Sequence, residues 1–425
     1  MAGPGSDEGG APHKPVVFLR HDGRFPRHPA LYHAVASALL PKRMAGKGAP
    51  AACAFSLKRL WKERALITMR KITERQIALL GLLYINSLTF LQTFSSMADV
   101  ARQHAAISFV FGCGVCVLSL WLLSAVLKRF PDKNLMQAVV ERFPGSGRVL
   151  LGMYLLFFLF IAARDIRILA DFTNSVLLNR TPILILGIMI TATAVYISQG
   201  GIRAFLGLSE IYVPIMISVL TAVSVIMLRN IHIKYMVPYF SFDWIGIAKG
   251  AWYAVPYLGE IIALPLVISG KYYRPAGVLA GLIATSALLL GTLLMTELVM
   301  GVPLTGKLTH SGYELIRQLQ ITDFMDRFDL LVVGLWYPTA LGKIGFDIYV
   351  LCYLMQMVVP KLSGRLMTAP AGALAFVCSI WFFKNALQQF NFNYVWPLVA
   401  LIFELVLPIV LFAALWPRKV KPKSG

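Results

Sequence analysis

A short stretch at residues 253–262, YAVPYLGEII, places a proline, a glycine and a carboxylate in the middle of a predicted membrane helix. It lies in a segment, residues 250–270, that is otherwise almost entirely apolar and carries one charge, Glu260. Pro256 lacks a backbone N–H group and Gly259 tolerates irregular dihedral angles, so the two residues together can unwind a helical turn. Unwound backbone at membrane depth is tolerated only where protein or a water-filled cavity satisfies its polar groups. Taken alone, the break is more simply explained as a proline kink, which is common in membrane helices. A matching polar break predicted in the first span, around Asn86 and Ser87, shifts the interpretation to an enclosed polar pocket.

Glu260 strengthens the prediction of a pocket. A carboxylate inside a membrane costs about 2.5 kcal/mol or more on insertion scales, and it is retained mainly where it faces a partner or a cavity. Three roles are open: Glu260 binds the ammonium group of a ligand, carries a proton, or pairs structurally with Lys343. A second acid, Glu404 in the last apolar segment, has no base near it in the sequence and stays unassigned.

Other charges in apolar segments come in pairs. Arg167 and Asp171 are four residues apart and share a helix face, with Arg164 nearby, and Lys343 and Asp347 have the same spacing. Each pair can neutralise itself at low dielectric, so we interpret them as structural ion pairs, with a role in coupling as the alternative.

Nothing in the sequence indicates enzyme catalysis or a bound cofactor. It contains no phosphate-binding glycine loop, no His cluster with metal-ligand spacing and no nucleophile elbow. Cys113 and Cys116 have CxxC spacing, but they lie among apolar residues with no further Cys or His nearby. We interpret them as small buried side chains and predict no metal site.

The elements that carry these residues are predicted membrane helices. A chain of 425 residues with 58% hydrophobic and 14% charged residues has too little polar surface for an ordinary soluble globule. About 20 apolar residues cross the hydrocarbon core. Five charge-free segments meet this length, at 76–98, 105–127, 181–202, 211–228 and 275–296. Five more carry polar residues or are shorter, at 149–172, 250–270, 330–352, 366–383 and 395–417. The sequence thus predicts an all-α integral membrane protein with ten spans.

The formal charge of +20 follows the membrane topology. With the N-terminus inside, Lys and Arg concentrate in the predicted inner loops and tail, which is the positive-inside pattern. An even number of spans then places both termini in the cytoplasm. The basic excess therefore indicates a lipid bilayer as partner and argues against nucleic acid.

The two ends of the chain differ from the middle. Residues 1–68 are rich in Ala, Gly, Pro, Arg and His and have no sustained periodicity. They are either a disordered cytoplasmic leader or the product of a start assigned too early, with Met69 as the true beginning. We favour the second, because Met69 opens a short basic flank before the first span. Residues 418–425 are predicted to be a basic cytoplasmic tail.

The domain at 69–417 divides into two halves, 76–229 and 247–416. Each half opens with a span that is predicted to break near its middle, at YINSLTF around Asn86 and Ser87 and at AVPYLGE around Pro256. Breaks at equivalent positions of two five-helix halves indicate a midplane binding site in an inverted-repeat transporter. The longer outer connection, 302–329, is predicted to be either a short amphipathic surface helix or a packed loop cover.

Residues 69–417 resemble the GerAB-type B subunits of bacterial spore germinant receptors, in the amino acid/polyamine/organocation transporter superfamily. The resemblance rests on KITERQIALLGLLYINS at 71–87, on the broken sixth span with Gly259 and Glu260, and on YELIRQLQITDFMDRFDLLVVGLWYPTALGKIGFDIY at 313–349.

The resemblance implies a LeuT-like fold with broken helices 1 and 6 and a location in the spore inner membrane. It further implies sensing of an amino acid, nucleoside or sugar in complex with an A-type membrane subunit and a C-type lipoprotein subunit. The implied ligand residues are Asn86, Ser87, Thr89, Tyr253, Pro256, Tyr257, Leu258, Gly259 and Glu260. Two alternatives are a proton-coupled amino acid transporter and a water or ion conduit opened by partner subunits.

Overall fold

The computed structural model describes residues 72–238, 241–318, 328–359 and 364–416. The predictions made for residues 1–68 and 418–425 lie outside these ranges. The regular elements of the described residues are helices.

The first half contains six α-helices joined by short irregular turns. These are α1 (Glu74–Ala101), α2 (Ala105–Leu127), α3 (Leu135–Arg142), α4 (Pro144–Phe172), α5 (Ile183–Gln199) and α6 (Ile202–Met227). A 3-10 turn, Arg102–His104, separates α1 from α2, and a π-helical turn, Thr173–Leu177, follows α4. Two more 3-10 turns, Leu228–Asn230 and Ile233–Met236, lead into the second half.

The second half contains the remaining described helices. These are α7 (Trp244–Leu258), α8 (Ala263–Val267), α9 (Pro275–Met300), α10 (Val302–Lys307), α11 (Ser311–Arg317), α12 (Phe328–Val358), α13 (Gly364–Phe382), α14 (Ala386–Phe392), α15 (Trp396–Leu401) and α16 (Leu407–Leu415). A 3-10 turn, Gly259–Ile262, separates α7 from α8, and a π-helical turn, Ile402–Val406, separates α15 from α16.

The first span is a continuous helix, so the prediction of a break at Asn86 and Ser87 was wrong. α1 runs unbroken for 28 residues. The hydroxyl groups of Ser87 and Thr89 donate to the carbonyl oxygens four residues earlier, at Leu83 and Ile85. Serine and threonine can satisfy their hydroxyl groups within the helix in this way, and their backbone N–H groups still form the helical hydrogen bonds. Proline has no backbone N–H group and removes one such bond.

The sixth span is irregular, as its sequence predicts, but the change falls just after the proline. α7 continues through Pro256 and ends at Leu258, and the 3-10 turn Gly259–Ile262 carries Glu260. The last span is interrupted too, by the π-helical turn Ile402–Val406, which contains Glu404. The sixth and the last spans therefore each contain an irregular turn, whereas the first span does not.

Length and apolar surface fit a membrane protein. Eight helical segments of the described residues are long and apolar enough to cross a membrane, and the longest of them, Glu74–Leu127, contains both α1 and α2. α5 is apolar but shorter, at 17 residues. The total of ten spans stays a prediction. Large apolar side chains stand exposed along α2, namely Val110, Phe111, Leu118 and Trp121, as on a helix that faces lipid.

α1 lies at the centre of the fold and is buried along most of its length. α9 packs closely along it through glycines: a Cβ atom added to Gly281 would lie 2.6 Å from the carbonyl oxygen of Ala78. A Cβ atom added to Gly277 would lie at the same distance from the carbonyl oxygen of Glu74. Small residues allow such close helix contacts in a membrane protein.

The outer connection is a packed cover where the structure describes it. Leu315 and Ile316 on α11 are buried and pack with Val223, Met300 and Val332. Residues 319–327, which include the rest of the predicted amphipathic helix, lie outside the described residues.

Candidate functional site

Five buried charged residues meet where the irregular sixth span faces α4 and α12. They are Arg164, Asp165, Glu260, Lys343 and Asp347, and we call them the ionic cluster. Arg164 Nη2 lies 2.6 Å from Asp165 Oδ1 and 2.5 Å from Glu260 Oε1. Glu260 Oε2 lies 2.7 Å from Lys343 Nζ. Glu260 therefore bridges the two cations.

Lys343 is the most highly connected member of the cluster. Its ammonium group pairs with Asp165 and Glu260, and it lies 3.6 Å from Asp347 Oδ2. Tyr84 on α1 donates a hydrogen bond to Asp347 Oδ1 at 2.6 Å. The pair predicted from the spacing of Lys343 and Asp347 is thus one contact in a network that joins α1, α4, α12 and the 3-10 turn.

Charge and burial make this network energetically demanding. Every member is at most 1% exposed. Formally, three carboxylates face two cations. Buried charges are stabilised only by close, well-directed partners, and removing one partner leaves the others uncompensated. The cluster therefore fixes the mutual positions of the helices that carry it.

Aromatic and amide groups surround Arg164. Its guanidinium carbon lies 4.9 Å from the ring centre of Tyr257 and 5.2 Å from that of Trp396, close enough for cation–π attraction. Tyr257 donates a hydrogen bond to Asn393 Oδ1 at 2.9 Å, and Asn393 Nδ2 donates to Gln92 Oε1 at 3.0 Å. This chain of bonds connects the sixth span back to α1.

The residues predicted on the first span are held by other elements. Asn86 Nδ2 lies 3.1 Å from Met216 Sδ on α6, and Asn86 Oδ1 has no hydrogen-bond partner among the described residues. Ser87 Oγ donates to the carbonyl oxygen of Thr339 on α12 at 3.1 Å, and Thr89 bonds within α1. The hydrogen bonds of these three side chains thus run to α6, α12 and α1, while Glu260 lies in the ionic cluster.

The predicted residues of the sixth span divide into two groups. Pro256, Tyr257, Leu258, Gly259 and Glu260 are buried. Tyr253 is only partly buried, and its ring lies edge-on to that of Tyr394, with 5.9 Å between the ring centres.

The outer pair predicted on the third span forms beside the cluster. Arg167 Nε lies 2.8 Å from Asp171 Oδ2, and Arg167 Nη1 donates to the carbonyl oxygen of Phe383 at 2.8 Å. Arg164, by contrast, turns to Asp165 and Glu260.

A small apolar cavity lies beside the ring of Trp336. Trp336 donates a hydrogen bond from Nε1 to the carbonyl oxygen of Ser87 at 2.6 Å, and its ring meets Phe90 and Phe172 edge-on. The cavity beside these rings has a volume of about 20 Å³, which is room for one or two water molecules. A nutrient-sized ligand could enter here only if the surrounding helices moved apart.

Sequence reasoning missed several of these residues. Asp165 was overlooked although it adjoins Arg164 and is itself a charge in an apolar span, which is signal enough to mark it. Tyr84, Gln92 and Asn393 carry no such signal, since single polar residues are common in membrane helices. Among the described residues, no group of three or more His, Cys, Asp or Glu side chains is arranged to hold a metal ion.

Comparison with known proteins places this arrangement in a family. The sequence profile described as spore germination protein matches residues 71–387, which is most of the chain. The chain belongs to the spore germination protein family. Two relatives from Bacillus subtilis (strain 168) agree. The putative spore germination protein YfkT is 30% identical over 81% of this chain and 96% of its own length. Spore germination protein KB is 21% identical over 83% of this chain and 97% of its own length.

Solved structures define the fold of this spore germination protein. The nucleobase-cation-symport-1 family transporter Mhp1, in a closed conformation with bromovinylhydantoin bound, matches with a TM-score of 0.59 and 14% identity over 81% of this chain and 78% of Mhp1. MhsT in complex with L-phenylalanine matches with a TM-score of 0.55 and 14% identity over 82% of this chain and 90% of MhsT. The chain therefore has a LeuT-type transporter fold and is a multi-pass membrane protein, as the sequence predicts.

Proposed function

We propose that this chain is the membrane subunit of a nutrient germinant receptor. In this proposal it binds a small germinant, such as an amino acid, a nucleoside or a sugar, between the first and sixth spans. It then triggers germination through an A-type membrane subunit and a C-type lipoprotein subunit in the spore inner membrane. Family membership supports the role in germination, and the transporter fold supports the binding of a small molecule.

The observation that carries the proposal is the ionic cluster at the irregular turn of the sixth span. Glu260 and Lys343 are buried there, and Arg164 Nη1 has no hydrogen-bond partner among the described residues. A ligand carboxylate can bind this free edge of the guanidinium group, and a ligand ammonium can replace Lys343 at Glu260. A zwitterion would thus enter without changing the total charge of the cluster, which favours an amino acid among the candidate nutrients.

Signalling follows from the same contacts. The cluster joins α1, α4, α12 and the 3-10 turn, and its five charged side chains are at most 1% exposed. Ligand entry must therefore exchange ion pairs and separate helices. A ligand shifts the population toward the opened state only by its higher affinity for that state, and the partner subunits would detect the shift at the surface of the chain.

Spores provide the first test of this proposal. We expect Glu260→Gln and Asn86→Ala to impair the nutrient response while membrane levels of the protein stay near those of the wild type. Glu210→Gln is the control, because Glu210 is exposed on α6 and a glutamine can still accept the hydrogen bond from Gln76. Loss of protein from the membrane in both test variants would contradict a ligand role and support a structural one.

A proton-coupled amino acid transporter is the second candidate. It is favoured by the transporter fold and by the excess of buried acids over bases in the cluster. Uptake of labelled amino acids into proteoliposomes that contain the isolated chain distinguishes the two functions. Accumulation driven by a pH gradient would refute a purely receptor role, and binding without accumulation would support it.

A further inference from the structure

A fourth buried carboxyl group lies close to the ionic cluster without belonging to it. Glu404 sits in the π-helical turn of the last span and is 1% exposed. Neither of its carboxyl oxygens has a hydrogen-bond partner among the described residues. A buried polar group without a partner is expensive, and an ionised one is far more so. The surroundings of Glu404 must therefore compensate the cost of burying it.

Glu404 fills a notch in the irregular turn of the sixth span. A Cβ atom added to Gly259 would lie 2.7 Å from Glu404 Cδ and 3.1 Å from Glu404 Cβ. Only glycine allows this approach. The π-helical turn is held on its other sides by Ser119 on α2, whose hydroxyl donates to the carbonyl oxygen of Glu404, and by Tyr154 on α4, which donates to the carbonyl oxygen of Phe403 at 2.9 Å.

The charged and titratable groups that face Glu404 come from every element packed around it. Glu260 on the 3-10 turn, Arg164 on α4 and Lys343 on α12 act on Glu404 electrostatically, and Glu404 in turn acts on Cys116 on α2 and Tyr154 on α4. Both cations are already paired with Asp165 and Glu260. Counting Glu404, four carboxyl groups face two cations, so an ionised Glu404 would add repulsion from Glu260 without gaining a direct partner.

We propose that Glu404 is a proton-binding site, and that only the neutral, protonated carboxyl group lets the last span pack against the irregular turn of the sixth span. Loss of the proton to solvent places a second negative charge beside Glu260 and pushes the two turns apart. The packed arrangement then binds one more proton than the separated one. Raising the pH therefore favours separation, by up to about tenfold in the equilibrium constant for each pH unit.

This inference goes beyond the proposed function, because it concerns the conformational equilibrium of the chain in the absence of any nutrient. A chain that binds no germinant can still have this proton site, and a germinant receptor can lack it. A test with protons as the only ligand therefore separates the two proposals.

Infrared difference spectra of the full chain in proteoliposomes, recorded across a pH titration, detect the site directly. We expect a C=O stretching band of a protonated carboxylic acid that disappears as the pH rises. Glu404→Gln should remove this band, because glutamine keeps the shape and cannot release a proton. Glu297→Gln is the matched control, since Glu297 is another buried carboxyl group without a hydrogen-bond partner among the described residues, but it lies on α9. Glu297→Gln should leave the band of Glu404 in place.

Hydrogen–deuterium exchange at residues 259–262 measures the coupling to the turn. After correction for the intrinsic pH dependence of exchange, we expect opening to increase with pH in the wild type and in Glu297→Gln, and to be independent of pH in Glu404→Gln. If Glu404→Gln does not fold, Glu404→Asp keeps the acid and should retain a titrating carboxyl band at a shifted position. An unchanged band in Glu404→Gln, or the same pH-dependent opening with and without the carboxyl group, would overturn the proposal.

Discussion

Replacement of Lys343 by methionine tests the ionic cluster most directly. Methionine keeps much of the apolar stem and removes the ammonium group that pairs with Asp165 and Glu260 and lies near Asp347. Arg164 would then be the one cation left within the cluster to compensate three buried carboxylates.

The expected loss follows from burial. Breaking a fully buried ion pair by removing one partner typically costs about 3–5 kcal/mol, because the other charges stay desolvated and unpaired. Lys343 and its carboxylate partners are at most 1% exposed, so this range applies without a discount for solvent screening. We expect Lys343→Met to lower the free energy of unfolding of the membrane domain by that amount.

The assay is titration of the purified full chain in mixed micelles with a denaturing detergent. Lys133→Met is the matched control, because Lys133 pairs with Glu141 at the surface, where the two side chains are 40% and 64% exposed. An exposed pair of this kind contributes about 0–1 kcal/mol. Adding Glu260→Gln to Lys343→Met should recover part of the lost stability, since it removes one of the uncompensated charges.

Equal losses in Lys343→Met and Lys133→Met would refute the reasoning. They would mean that the cluster is solvated, or that its acids are already neutral. If the double variant Glu260→Gln/Lys343→Met were no more stable than Lys343→Met alone, the idea that uncompensated carboxylates cause the loss would be contradicted.

Three further substitutions test the packing around the site. Gly281→Ala should destabilise the chain by about 1–3 kcal/mol, because the added methyl group is overpacked against the backbone of α1. Gly291→Ala on the same helix is the control and should not destabilise, since an added Cβ there meets nothing within 4 Å. Thermal denaturation compares the two variants. Trp336→Phe should lower the free energy of unfolding by about 1–2 kcal/mol, because the hydrogen bond to α1 is lost. Detergent denaturation measures the loss, and circular dichroism of the native variant should show unchanged helix content. Gly259→Ala should destabilise through its contact with Glu404, and Glu404→Asp in the same chain should relieve part of the loss; the absence of any relief would contradict the contact.

The sequence predicted the class of the protein well for identifiable reasons. Membrane helices follow from long apolar segments, because the length of the hydrocarbon core is fixed. The irregularity of the sixth span followed from Pro256 and Gly259, whose backbone properties do not depend on context. The break predicted at Asn86 and Ser87 was wrong because short polar side chains can hydrogen-bond to their own helix and leave it intact.

Which buried charges meet could not be predicted from the sequence. Spacing along one helix brought Arg167 to Asp171, because residues four apart share a face. The contacts of Glu260 with Arg164 and Lys343 span 96 and 83 residues, respectively, and depend on how four spans pack.

By itself, then, the sequence determined that this is an apolar helical membrane protein with an irregular sixth span and a carboxylate within it. These features are local, since each depends on the composition or backbone chemistry of one segment. Only the tertiary structure decided that Glu260 lies between two cations and that Glu404 stands beside Gly259 without a partner. The physical reason is that charge compensation at low dielectric acts over a few ångströms in space, and distance along the chain does not determine distance in the fold.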